Sequence, residues 1–237
     1  MNRKQNKIMS VTAVVAMFLF IIAMLLTSFQ LVIYGDPEYR FYEKEYEKYT
    51  VTEALDMKIV DVMKVTDYMM AYLIGEEDEL SIVTEVDGQT QDFFNEQDRL
   101  HMADVKNLFL GGLKLRTVCL IVFLALLVLI IARKADWKRL LPKAYFIAVG
   151  VFLALIAFLA VAFSIDFTKC FTIFHKIFFT NDLWLFDEDT DYMIRMLPEG
   201  FFSDMVIRIS EVFGAVLVVI WIVLFVIKKY YKKPEES

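Results

Sequence analysis

Two histidines occur in the 237-residue chain, His101 and His175. An imidazole with an unperturbed pKa near 6.5 is the side chain best suited to moving a proton at neutral pH. Asp98 and Asp104 stand three residues to either side of His101, so on a helix either carboxylate can share its face and orient the ring. The bland alternative is an interfacial histidine held in a salt bridge. His175 lies in a Phe-rich stretch with Phe174, Phe178 and Phe179, followed by Trp184. Such aromatics can form a floor for acyl chains, or serve only as a membrane-surface anchor.

Other chemistries lack their residues. Two histidines with Asp98 or Asp182 could hold zinc, but no H-E-x-x-H pattern or Cys cluster accompanies them. The run Asp187, Glu188, Asp189, Asp191 opens like a calcium loop, yet Tyr192 takes the sixth position, where the sharp turn needs Gly, and Pro198 the twelfth, where a Glu should bind. It reads as a solvated acidic loop, and neither metal nor cofactor is expected. There is no G-x-S-x-G nucleophile elbow and no G-x-x-x-x-G-K-[ST] phosphate loop. Cys119 and Cys170 are isolated and make no disulfide framework.

The elements that must position the histidines are membrane spans. Hydrophobic residues make up 58% of the chain, against roughly 45–50% in a soluble domain, and uncharged stretches run over 8–35, 117–132, 144–165 and 212–227. The fold class expected is a membrane α-helical protein: four transmembrane helices with an extracytoplasmic α+β cap formed mainly by the first external insertion. The segments read as a tail 1–7, transmembrane 8–35, insertion 36–112, transmembrane 113–132, loop 133–143, transmembrane 144–165, external segment 166–211, transmembrane 212–227 and tail 228–237. The first stretch is too long for a signal-peptide core and no A-x-A site follows it, so it reads as a retained anchor. Stretches two and four are short for a bilayer, and Lys114, Arg116, Lys228 and Lys229 can snorkel to complete the crossing.

Basic residues set the orientation. Arg3, Lys4 and Lys7, then Arg133, Lys134, Lys138, Arg139 and Lys143, and finally Lys228, Lys229, Lys232 and Lys233 mark three short segments as cytoplasmic. The opposite side carries 19 acidic and 7 basic groups over 36–113 and 9 acidic and 4 basic groups over 166–211. The net charge of −6 is thus an external property, and the basic footprint of a nucleic-acid binder is missing. Both histidines fall outside, near the ends of spans two and three.

Within the first insertion, Thr50 and Glu53 have capping-box spacing, and apolar periodicity predicts a helix over about 53–74 that Gly75 ends. Alternation from Leu80 to Val86, then Asp87-Gly88, predicts a β-hairpin returning over 89–94. A second helical period starts at Asn95, carries His101 and reaches span two across Gly111-Gly112. Met57, Met63, Met69 and Met70 read as core filling.

Two segments, FNEQDRLHMADVKNLF from Phe94 to Phe109 and FHKIFFTNDLW from Phe174 to Trp184 running on through Asp191 to Leu197-Pro198-Glu199, resemble the bacterial lipoprotein intramolecular transacylase family. The resemblance implies an acyltransferase that moves the sn-2 acyl chain of a diacylglyceryl-Cys lipoprotein to the α-amino group of the same cysteine, giving the lyso form. It also implies that the two motif histidines, His101 and His175, are catalytic. One would act as base and the other polarise the ester carbonyl: His101 as base, oriented by Asp98 or Asp104, with the two roles exchangeable. Asn181 is a candidate oxyanion donor, Asp182 a supporting residue, and Phe174, Phe178, Phe179 and Trp184 candidates for holding acyl chains. The partners implied are a diacylated lipoprotein in the outer leaflet and membrane lipids, in a multi-pass cell-membrane protein with both termini cytoplasmic. The alternative is a non-enzymatic envelope sensor or interaction protein.

Overall fold

A computed structural model describes residues 3–230; Lys232 and Lys233 of the basic C-terminal tail lie outside the described residues. The elements run α1 (Arg3–Tyr34), α2 (Arg40–Lys48), α3 (Val51–Ala54), α4 (Ile59–Ile74), β1 (Val83–Val86), β2 (Gln89–Asp92), α5 (Glu96–Ala132), α6 (Trp137–Ile165), α7 (Phe167–Phe178), α8 (Tyr192–Met196) and α9 (Glu199–Tyr230). Helices α1, α5, α6 and α9 are long and apolar enough to cross a membrane. The protein is therefore a membrane α-helical protein with four spans and a small two-stranded sheet.

The chain divides into two compact units: Met1–Phe29 with Leu113–Ser164 and Ile209–Ser237, and Gln30–Gly112 with Ile165–Arg208. The first holds the apolar lengths of the four spans. Its core includes Met17, Ile21, Ala144, Tyr145, Ala148 and Phe213; alanines one turn apart on α6 allow close helix approach. The Tyr145 hydroxyl, which an apolar interior would otherwise leave unpaired, donates to the Leu217 carbonyl on α9. Only 11%, 6% and 11% of the most apolar windows of α5, α6 and α9 is buried, a surface suited to lipid as its solvent.

The second unit has its own core. Tyr42 and Tyr46 lie one turn apart on the buried side of α2; the Tyr46 hydroxyl pairs with Thr66 Oγ1 of α4 at 2.7 Å, and the Tyr42 ring is 5.2 Å from Phe201. The single helix expected over 53–74 is two. Asp56 adopts a left-handed φ of 45°, the Leu55 carbonyl accepts from Asp87 N at 3.1 Å, and fully buried Leu55 pins the corner between α3 and α4. Thr50 is itself left-handed and makes no side-chain cap, so the capping box read there does not form. Gly75, at φ 87°, closes α4.

The hairpin pairs Val83 with Asp92 through Val86 with Gln89. Asp87 and Gly88 both have positive φ, 50° and 70°, the geometry that makes Asp-Gly a favoured two-residue turn. A capping box does form at α5: Asn95 Oδ1 accepts from Asp98 N at 2.9 Å and Asp98 Oδ2 from Asn95 N at 3.0 Å. The helix then continues without a break through Gly111-Gly112, where the sequence reading placed a joint. Two helical glycines cost about 1 kcal/mol each, less than the backbone groups that an opening in apolar surroundings would leave unpaired.

Candidate active site

His101 and His175 both belong to the second unit. His101 sits in the second turn of α5, behind the Asn95–Asp98 cap. α7 begins at Asp166, whose Oδ1 accepts from Lys169 N at 2.8 Å, and its one buried residue is His175. Seventy-four positions apart in sequence, the two imidazoles have ring centroids 6.0 Å apart and planes inclined by 27°. They are 5% and 7% exposed.

Aromatic rings enclose the pair. Phe179 is 5.1 Å from the His101 ring and 5.5 Å from the His175 ring. Trp184 stacks on His175 at 4.9 Å and 30°, Phe171 lies 4.2 Å from it, and Phe186 is 5.3 Å from His101. Leaving water disfavours a charged imidazole. Burial draws His101 down to about 4, with nearby His175 adding to the effect, and burial also lowers His175, opposed by its hydrogen bond to Phe171. Both rings are neutral at pH 7. Asp98, wholly buried, is pushed up to about 7, chiefly by burial and against the hydrogen bond it accepts from Asn95. These groups precede or follow, and do not lie in, the uncharged spanning stretches.

One hydrogen bond assigns a tautomer. His175 Nδ1 is 2.8 Å from the Phe171 carbonyl oxygen; a carbonyl can only accept, so the neutral ring carries its proton on Nδ1 and has its lone pair on Nε2. Among the described residues, no group of three or more His, Cys, Asp or Glu side chains is placed to hold a metal ion.

The sequence model of the family described as lipoprotein intramolecular transacylase Lit matches residues 14–202, most of the chain and both histidines. The chain belongs to the Lit family. It is thus an acyltransferase, and the sensor alternative loses its footing. Among solved structures, the membrane integral lipoprotein intramolecular transacylase Lit from Bacillus cereus is similar with a TM-score of 0.77 at 19% identity, over 98% of this chain and 100% of that one. A histidine-to-alanine variant of that protein gives 0.73 at 19% identity, covering 98% and 97%, and a histidine-to-arginine variant 0.70 at 18%, covering 96% and 93%. At such identity the likeness establishes the fold. No curated protein sequence matches.

In this Lit-family chain the remaining candidates occupy distinct places. Asp104 does not pair with His101: its Oδ2 accepts from Asn181 Nδ2 at 2.8 Å, tying α5 to the turn after α7. The Asn181 carbonyl accepts from Trp184 Nε1 at 2.9 Å, so this pair fixes the ring stacked on His175. Asp182 is exposed, and its carbonyl accepts from Leu185 N at 3.1 Å. Phe179 and Trp184 touch the histidines. Phe174 and Phe178 pack against each other at 4.7 Å with their rings tilted by 43° on the exposed side of α7, 40% and 51% exposed, with Phe174 reaching His175 edge-on at 5.4 Å.

Sequence reasoning missed Phe186, the Phe171 carbonyl, Asn95 and Asp191. Asp191, read as part of a solvated loop, is 4% exposed; its Oδ1 accepts from the Asn95 amide and its Oδ2 from Asp187 N at 2.7 Å. The Asn95-x-x-Asp98 spacing was the available signal, since an Asn three residues before an acid at a helix start marks a cap. A carbonyl has no sequence signal.

Proposed function

We propose that this acyltransferase moves the sn-2 acyl chain of a diacylglyceryl-Cys lipoprotein onto the α-amino group of the same cysteine. The observation that carries this reading is the pair of neutral imidazoles, 6.0 Å apart by centroid inside one aromatic enclosure. Donor ester and acceptor amine belong to one molecule, so holding the headgroup in a reactive pose supplies much of the acceleration without a covalent enzyme intermediate.

The tautomer supports the exchanged assignment of roles, with His175 as base. An α-amine of pKa near 8 is largely protonated at pH 7 and attacks from its neutral form. As the amine nitrogen bonds to the ester carbon, His175 Nε2 takes the proton that nitrogen sheds. The carbonyl oxygen becomes an oxyanion, which His101 meets as a neutral N–H donor. When the tetrahedral centre collapses, the bond from carbon to the sn-2 oxygen breaks and the imidazolium of His175 returns its proton to that oxygen. The products are an amide and a free sn-2 hydroxyl, with no co-reactant consumed. Phe179 and Trp184 exclude water from the reacting centre, and Phe174 and Phe178 face the acyl chains; Asp104, Asn181 and Asp182 support the turn that carries Trp184.

The three basic segments favour cytoplasmic termini, which places 36–112 and 166–211 outside and the histidines at the outer leaflet, where a diacylated lipoprotein resides. Mass spectrometry of lipoprotein N-termini from a diacyl-producing host expressing this chain tests the reading. The expected result is an acyl group shifted to nitrogen, lost in His101→Ala and in His175→Ala. An unchanged lipid form with the intact protein overturns it.

A further inference from the structure

The first two turns of α5 hold two buried polar atoms without a hydrogen-bond partner, Asp98 Oδ1 and His101 Nδ1. Buried polar groups are nearly always paired, so two orphans in adjoining positions call for an explanation. Asp98 and His101 are three residues apart on one helix face, and a helical side chain leans back over the turn on its N-terminal side, which brings the His101 ring toward Asp98. Asp98 is not free to swing away. Its Oδ2 caps Asn95 N at 3.0 Å, and the Asn95 amide is itself held by Asp191.

We infer that Asp98 acts as a neutral carboxylic acid whose hydroxyl donates to one bound water that in turn donates to His101 Nδ1, so that His101 carries its own proton on Nε2. Asp98 is then a positioning residue, and the two histidines are set in opposite tautomers: lone pair outward on His175, N–H outward on His101. An ionised Asp98 would do the reverse, accepting through that water from His101 Nδ1–H and leaving both rings as acceptors with no donor for the oxyanion. The use of that donor rests on the acyl-transfer reading; the hydrogen bond itself does not.

The surroundings favour the acid. The charges acting on Asp98 are Arg99 on α5 and Asp191 ahead of α8, while His175 on α7 and Asp104 on α5 act on His101. Asp191 opposes a second negative charge beside it, whereas the Arg99 guanidinium is engaged by Asp92 at 2.6 Å and by the Leu80 carbonyl at 3.0 Å. Burial and Asp191 outweigh Arg99 and hold the group up to about 7. An apolar site that keeps a carboxyl protonated so that it can donate is an established way to build an oxyanion partner.

Nitrogen-15 NMR of histidine-labelled full-length protein in detergent, at pH 6, decides the tautomer, with His175→Gln isolating the His101 signals. The expected spectrum has a proton on Nε2 and a pyridine-type Nδ1; a proton on Nδ1 overturns the inference whether or not the protein transfers acyl groups. In the acyl-transfer assay, Asp98→Asn keeps a cap acceptor and supplies an N–H to the bridging water. It should act within about threefold of wild type and lack the fall in rate that wild type shows as pH rises through about 7. Asp98→Ala should lose about a hundredfold. An Asp98→Asn protein that melts like wild type yet is as inactive as Asp98→Ala also overturns it. If the wild-type chain transfers nothing, the acyl-transfer reading fails, and the NMR result still decides the hydrogen bond.

Discussion

Each imidazole of the proposed catalytic pair is governed by an atom that belongs to another residue. For His175 it is the Phe171 carbonyl, four residues earlier on the same helix, a main-chain group that mutation cannot remove. Replacing His175 itself should therefore give the cleaner loss, about 10²–10⁴-fold, the usual worth of a positioned proton acceptor. His101 also predicts a pH-dependent stability. Its folded pKa, about 4, lies below the unfolded 6.5, so as pH falls from 6.5 toward 4 the unfolded chain takes up a proton that the folded chain refuses, and stability is lost. Asp98 has the opposite sign. Held up to about 7 from 3.8, it contributes stability that is complete below 3.8 and lost as pH rises through 7. Because the two contributions oppose each other between pH 5 and 7, His101→Gln should raise the melting temperature at pH 5 relative to that at pH 7, compared with wild type; an unaltered difference would show that the ring is not desolvated as described.

Among the elements, the close approach of α9 to the chain after α2 depends on a missing side chain. A Cβ at Gly200 would stand 2.5 Å from the Tyr49 ring, whose hydroxyl donates to Asp204 at 2.6 Å. Gly200→Ala should destabilise the protein by about 1–3 kcal/mol, the range for overpacking. In a Tyr49→Ala background the same change should cost almost nothing, which thermal unfolding of the single and double variants would check. Elements whose cause is local were legible in the sequence: the Asp87-Gly88 hairpin, the Gly75 stop and the helix that starts at Asn95. Those fixed by distant partners were not. Nothing around Asp56 announces a left-handed corner, because the Leu55 carbonyl is claimed by Asp87, thirty-two residues away. Helix α2 went unread because six of its nine residues are charged and its apolar side is carried by tyrosines. The site followed the same division: both histidines stood out by rarity and shared depth, whereas Phe186 and the Phe171 carbonyl reach the rings only through the fold.

At the scale of the whole molecule, four apolar helices and a lopsided charge distribution make a testable map. Cysteines introduced at Lys134 and Asp189 should separate under a membrane-impermeant thiol reagent applied to intact cells, with Asp189→Cys labelled and Lys134→Cys protected. Equal labelling of the two would contradict the proposed sidedness. The chain has three tryptophans. Trp137 and Trp221 belong to the apolar unit, while the third, Trp184, stacks on His175 at 4.9 Å. An imidazolium quenches an indole at that range far more than a neutral imidazole does, so the protein carries its own optical gauge: dimming of one emitter follows proton arrival at His175, without any dye or label.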